Sequence, residues 1–326
     1  MQILRLLAEA RSPLNSIRIT ELMNRQGHDI SERSVRMYLN RLDEERLTIS
    51  HGKKGREITH RGLEEINSEQ LLERVGFMSA KIDNMTYRMS FDLALRRGTV
   101  AVNLAIVEQG VFLDRLDMIC EVFAQGYAMG SLVALLYPGE HLGELTVPPG
   151  HLGFCTVCSV TLNGVLLKHG IPTRSIFSGL LDLEDGRAKR FSERINYDGT
   201  SIDPLQLFIR ARLTNYVGAI TDGNGRIGAG FREIPESSYD LANSLSEKLE
   251  SLGLKAFLQI GKPSEALLNI PVTEGSCGII VIGGLNPVAI LEETGADVTH
   301  YALSGLMEYN RLFEYSELHT RLKQRL

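Results

Sequence analysis

The sequence predicts an α/β chain in two parts: a small N-terminal helical unit closed by a hairpin, then an internally duplicated, pseudo-twofold α/β domain. Three observations predict this. Three short helical segments precede two short strands that flank a Gly-bounded basic tip. From Gly98 onward the chain compares with itself: Gly98-Thr-Val-Ala-Val102 matches Gly225-Arg-Ile-Gly-Ala229, 127 positions later. The apolar runs of the repeated strands are nearly continuous, as expected for a sheet covered on both faces.

With 326 residues, 43% of them hydrophobic, the chain can bury at least one full core. Its net charge of -5 argues against a protein that coats nucleic acid throughout, though not against a local basic surface. No apolar run approaches the roughly 20 residues that span a bilayer, and the start of the chain is too short and too charged for a signal peptide. Cys120, Cys155, Cys158 and Cys277 stand scattered in apolar contexts and do not form a disulfide framework. These features predict a cytoplasmic chain with no membrane partner.

The first helix is expected over 3–10 and ends at Ser12-Pro13. Ser16 is placed to cap the second, 17–26, with Ile17, Leu22 and Met23 facing inward and Gly27 as its stop. Ser31 caps a third helix from Glu32 to about Arg46. Val35, Leu39 and Leu42 recur there at helical spacing, leaving Arg33, Arg36, Asn40 and Arg41 off the apolar stripe. Ile49 and Ile58 flank the basic tip that carries Lys53, Lys54 and Arg56. Three helices and a basic hairpin are the parts of a winged helix-turn-helix, in which the third helix enters the major groove and the wing touches backbone. Residues 31–61 carry eight Lys/Arg against five Asp/Glu, so this part is basic while the whole chain is acidic. Arg33, Ser34, Arg36, Asn40 and Arg41 are therefore expected at bases or phosphates, and Lys53, Lys54 and Arg56 on backbone. A protein-binding winged helix with ordinary surface arginines is the alternative. A linking helix follows, with Leu63, Ile66, Leu71 and Leu72 as dimer or docking contacts. The expected boundaries are 1–66, a linker over 67–80, and 81–326.

In the duplicated part, Gly150-x-x-Gly153 matches Gly275-x-x-Gly278 at 125 positions, and Ser178-Gly-Leu180 matches Ser304-Gly-Leu306 at 126. Leu162-Asn163 is aligned with Leu285-Asn286, and Gly170 with Gly295. Each half reads as strand 99–107, helix 112–125, strand 131–137, strand 151–160, short helix 162–169 and strand 175–183. Between the halves, Asp203-Pro204 supplies the cap and first position of another helix. One intertwined domain is expected rather than two independent ones, its period being far too long for a solenoid.

Cys155-Thr-Val-Cys158 has redox spacing but lies in an apolar strand instead of opening a helix, and no second pair offers a metal site. Thr156, Cys158, Ser159, Thr161 and Asn163 cluster where that strand feeds a helix, whose free N–H groups favour a carboxylate. The alternative is that Thr161 or Asn163 merely caps the helix. Lys168 supplies a charge on the same helix. The motif Gly228-Ala-Gly-Phe-Arg-Glu-Ile-Pro235 is specific to the second half, and its Arg232, at the end of a buried strand, suits bidentate carboxylate recognition, or else an ion pair with Glu233 or an aspartate. No nucleophile–base or acid–base pair emerges from the spacing, so neither a catalytic residue nor a cofactor is expected.

The run 153–168, with Phe231-Arg-Glu-Ile-Pro235, Asp203-Pro204-Leu205 and Gly283-Gly-Leu-Asn-Pro-Val288, resembles the NrpR regulatory domain over roughly 77–321. The first part resembles the winged helix of ribonuclease R-like and nitrogen-repressor proteins, including the closing Ile58-Thr-x-x-Gly62 turn. The resemblance implies a dimeric repressor that binds double-stranded DNA at inverted-repeat operators and loosens when 2-oxoglutarate accumulates. Some members of that family carry two regulatory domains in tandem where this chain has one, and some single-domain relatives work with a second regulatory-domain protein. The competing readings are an enzyme, or a protein-interaction module, acting on a small organic acid with an accessory winged helix.

Overall fold

In the computed structural model, which describes residues 2–10, 12–25, 30–59, 61–63 and 77–325, the chain divides into two units, 1–76 and 77–326. The first unit contains α1 (Gln2–Glu9), α2 (Ser16–Arg25), α3 (Glu32–Glu44), β1 (Thr48–Ser50) and β2 (Arg56–Ile58). Ile3, Leu6, Leu7, Ile19, Met23, Val35 and Leu39 close its core. Ile19 and Met23 define the buried stripe of α2, so Ile17 falls off it and is 56% exposed, contrary to the sequence expectation. Asn15, not Ser16, caps α2: its Oδ1 accepts the Arg18 N–H at 2.9 Å. Ser31 caps α3 as expected. The hairpin pairs Thr48 with Ile58, Ile49 with Glu57 and Ser50 with Arg56, and Leu14 adds an isolated antiparallel bridge to Arg56. Gly55 is required there. Its φ is +112°, and a Cβ would stand 2.3 Å from the Leu14 carbonyl carbon. Of the linker expected over 67–80, residues 67–76, with Leu71 and Leu72, lie outside the described residues, as does Ile66.

The second unit opens with α4 (Met78–Arg88). Then come β3 (Thr99–Glu108), α5 (Gln109–Asp114), α6 (Leu116–Ala124), β4 (Leu132–Leu136), and the small hairpin of β5 (His141–Leu142) and β6 (Leu145–Thr146). The first half ends with β7 (His151–Val157), α7 (Val160–Lys168), β8 (Arg174–Glu184) and β9 (Arg187–Asn196). Two helices, α8 (Pro204–Arg210) and α9 (Tyr216–Asp222), lead to β10 (Gly225–Pro235), α10 (Tyr239–Glu250) and β11 (Phe257–Ile260). β12 (Ser276–Ile282), α11 (Asn286–Glu293), β13 (Val298–Glu308), β14 (Phe313–Glu314) and α12 (Leu318–Arg325) complete it. The single helix expected over 112–125 is thus broken into α5 and α6.

Two five-stranded antiparallel sheets result, ordered β13-β3-β7-β4-β14 and β11-β12-β10-β8-β9. The pseudo-twofold maps β13-β3-β7-β4 onto β8-β10-β12-β11. Each half therefore gives its last long strand to the other half's sheet. Register bears out the duplication: Gly179 lies opposite Ala229 and Gly305 opposite Val102, the positions matched in sequence. Two apolar cores are each shared between the halves. One joins Ile119, Val122 and Phe123 of α6 to Val288, Ile290 and Leu291 of α11. The other holds Val165 and Leu166 of α7 and Leu245 and Leu249 of α10. Strands such as β7 and β12 are buried along nearly their whole length, since both faces meet one of these cores.

The equivalence of the two strand-to-helix turns differs from the Leu-Asn alignment. Thr161 N bonds to the Cys158 carbonyl where Asn286 N bonds to that of Gly283. The Thr161 hydroxyl then holds the backbone of Ala101, and the Asn286 amide holds the Gly228 carbonyl at 2.9 Å. Ala101 and Gly228 are themselves matched, so Thr161 and Asn286 are the true pair. Asn163 consequently corresponds to Val288, Ser159 to Gly284, and Arg232 to Ala105.

Candidate functional site

On the first unit, α3 turns Arg33, Met37, Asn40, Arg41 and Glu44 outward, opposite buried Val35 and Leu39. Arg33 has no ion-pair partner among the described residues. Arg36 lies toward α2, donating to Glu32 at 2.6 Å and to the Ser16 hydroxyl at 3.4 Å. That guanidinium holds the Glu32 carboxyl below its usual range. Ser34 belongs to the helix cap, with its N–H and hydroxyl on Ser31. Arg41 pairs with Glu45 at 2.9 Å. Arg56 reaches back from the wing to Asp43 at 2.9 Å and to the Asn40 side-chain oxygen at 3.0 Å. Lys54 is exposed on the turn Gly52–Lys54; the side chain of Lys53 lies outside the described residues. Arg33, Asn40 and Arg41 thus share the outward side of α3, while Arg36 and Arg56 are engaged within the unit by Glu32 and Asp43.

In the second unit, β10 delivers Arg232 to the start of α7. Arg232 as a residue is 2% exposed. Nη1 donates to the Ser159 carbonyl at 2.8 Å and to the Asn163 side-chain oxygen, and Nη2 to the Ser159 hydroxyl at 2.9 Å. Asn163 in turn donates to the Ser175 hydroxyl at 3.1 Å. Among the described residues, neither ion pair considered for Arg232 forms. Glu233 turns away to Arg174, at 2.8 Å, and to Thr273. No described carboxylate lies within ion-pair distance of Arg232, and its Nε is buried without an acceptor. Burial lowers its pKa, as it must for a cation with only neutral partners.

The neighbours of the guanidinium are neutral too. Burial pushes the Cys158 thiol up to about 11 and raises Tyr197 as well. Cys155, on β7, is pushed up to about 12, so neither cysteine of the pair is a ready thiolate. Thr156 serves the junction between halves: its hydroxyl donates to the Gly284 carbonyl at 2.7 Å and accepts from Asn103. Lys168 is exposed, its ammonium on the Ser90 carbonyl at 2.6 Å. Of the six residues expected at an effector, Ser159, Asn163 and Arg232 bond one another, and Cys158 adjoins them. Thr156 and Lys168 are committed elsewhere.

Ser175, Tyr197 and Asp203 were not expected there. α4 covers this region, packing Met78 and Ile82 with Cys158, Val160 and Tyr197. A cleft flanks each side of that helix. One, of about 410 Å³, includes Asp83, Arg174, Ser175 and Glu233; the other, of about 450 Å³, includes Lys81, Arg88, Asp203 and Gln206. Asp203 caps α8, accepting the Gln206 N–H at 3.1 Å, yet burial raises its carboxyl to about 6. The folded state thus retains a proton that the unfolded state, near 3.8, has lost. Stability should therefore fall as pH rises from about 4 to 6. Asp203→Asn keeps the cap and removes the charge. It is expected to abolish that slope and to add about 1–2 kcal/mol at pH 7, read by urea unfolding at pH 4.5 and 7.

The duplication gives this site an internal control. At the related position in the other sheet stand Ala105, Gly284 and Val288, with no charge and no polar side chain. A buried arginine is thus no requirement of the fold. No helix among the described residues is long and apolar enough to cross a membrane.

Comparison with known proteins agrees with both units. The family described as NrpR regulatory domains NRD1 and 2 matches residues 75–314, and the ribonuclease R winged-helix domain matches residues 1–66. The global nitrogen regulator NrpRI of Methanosarcina mazei is 34% identical over 96% of this chain and 97% of its own length. The NrpR regulators of Methanococcus maripaludis and Methanocaldococcus jannaschii are each 31% identical; the chain spans 52% and 54% of their length. The crystal structure of a nitrogen repressor-like protein from Methanococcus jannaschii has the same fold, with a TM-score of 0.60 at 23% identity. That match covers 74% of this chain and 99% of the other. These relatives are named as regulators, and none as an enzyme.

Proposed function

This chain belongs to the NrpR family, and from that premise we propose that it is a DNA-binding transcriptional repressor in nitrogen control, acting as a homodimer and released from its operator by 2-oxoglutarate. The observation that carries the ligand reading is Arg232. A buried guanidinium without a counter-anion is costly in a folded protein, and the Ala105 position indicates that the fold does not require it. Nε and Nη2 form one edge of the guanidinium, matched to a carboxylate. A carboxylate on that edge satisfies Nε and displaces only the Ser159 hydroxyl. The second carboxylate of a dicarboxylate meets cations on either side, Arg174 in one cleft or Lys81 and Arg88 in the other.

Ligand entry requires the cover to move, and α4 is part of that cover. It is also the first element of the second unit and follows the winged helix in sequence. A ligand that binds one placement of α4 more tightly than another biases the DNA-binding form, by no more than that difference in affinity.

The DNA arm is tested by gel shift on an inverted-repeat operator over a range of salt. Arg33→Ala and Lys54→Ala are each expected to weaken binding and to reduce the slope of log K against log salt by about one. Unchanged affinity and slope in both variants would exclude this face. The ligand arm is tested by isothermal titration with 2-oxoglutarate, where an absence of saturable heat, together with no thermal shift, would remove the effector.

A further inference from the structure

Resting on the DNA-binding reading above, we infer that Met37 is a specificity residue, which reads the C5-methyl group of a thymine in the major groove. Met37 is 61% exposed at the centre of the outward face of α3, diametrically opposite Val35 and Leu39. A single exposed methionine is ordinary on a protein surface. Its place on this face is what matters. Around it, Arg36 is held by Glu32, Arg41 by Glu45, and the Asn40 oxygen by Arg56. Among the described residues, Arg33 and Met37, one helical turn apart, are left without a hydrogen-bond or ion-pair partner on the side opposite Val35 and Leu39, with the exposed Tyr38 at its edge.

Their chemistry is complementary in the terms the groove offers. An arginine pairs with the N7 and O6 of guanine, while an apolar side chain gains from the thymine methyl, the apolar group on a base edge there. One helical turn rises about 5.4 Å, against about 3.4 Å per base pair. The two residues therefore read positions within about two base pairs of each other. Methionine, unbranched and polarizable, seats against a methyl without the fixed shape a branched side chain would impose.

Duplexes selected from a random pool by the full chain supply the probe, and each thymine is replaced singly by deoxyuridine, which lacks only the methyl. The expected result is one thymine per half-site whose replacement weakens binding about fourfold, the value of one buried methyl-sized group. Met37→Ala should weaken the parent duplex to a similar degree and lose nothing further on that deoxyuridine duplex. Met37→Leu should keep the dependence. Binding that persists with no thymine whose methyl matters through Met37 overturns this inference and leaves the DNA-binding reading standing. A loss in Met37→Ala that is the same at every deoxyuridine position also overturns it, assigning Met37 to a protein contact. Failure to select any duplex sinks both.

Discussion

Replacing Arg232 with methionine is expected to lower affinity for 2-oxoglutarate about a hundredfold while shifting stability by less than about 2 kcal/mol. The two effects separate because the guanidinium has different partners in each state. In the free protein it bonds Ser159 and Asn163, all neutral acceptors. Each such bond is worth roughly 1–3 kcal/mol, and the desolvation of the charge works against that sum. Methionine loses the bonds and the penalty together. With a carboxylate bound, by contrast, two charge-assisted bonds form on one edge, and their loss amounts to about 3 kcal/mol. Titration calorimetry and thermal unfolding of the same variant read the two numbers. Wild-type affinity in Arg232→Met would remove Arg232 from the ligand site. A collapse in stability with no change in ligand affinity would make the residue structural, whatever the ligand does.

Much of this site was legible in the sequence and some of it was bound to be missed. The punctuation of Gly150-x-x-Gly153 and Gly275-x-x-Gly278 exposes the duplication, since turns at fixed positions survive when strand residues drift. Polar residues in an otherwise apolar strand-to-helix turn mark Ser159 and Asn163. Their pairing with Arg232 is another kind of fact. It joins residues on opposite halves of the chain, and no local periodicity encodes it. The Leu-Asn alignment failed for a related reason: likeness of letters at 162–163 and 285–286 competes with backbone equivalence, which places Thr161 against Asn286. Strand β9 escaped because two bulges against β8 break the period-two pattern, and because an edge strand carries charge, as Arg187, Lys189, Arg190 and Arg194 do. On the winged helix, composition counted Arg36 and Arg56 as free cations; only geometry shows them tied to Glu32 and Asp43.

The exchange of strands between halves makes the strongest demand on folding. Cutting the second unit in the turn after β9, at Gly199, whose φ of +85° and open surroundings mark a tolerant site, should leave two fragments that do not fold alone. In the first, β8 keeps only β9 as a neighbour, and a lone hairpin is marginal in water. In the second, β13 loses its pairing with β3, and β10 loses β8. Both cores are opened, because α6 needs α11 and the faces of α7 and α10 line one core together. The deficit exceeds the roughly 5–15 kcal/mol that stabilises an ordinary domain. Mixed in equal amounts, the two fragments regain every strand neighbour and should reassemble into a cooperative 1:1 complex, visible by circular dichroism and sedimentation. A cooperative unfolding transition from either fragment alone would contradict the exchange. If the halves fold only together, the bonds from Arg232 of one half to Ser159 and Asn163 of the other lie on the junction that both require, so a carboxylate bound there, as proposed above, would act on the whole unit.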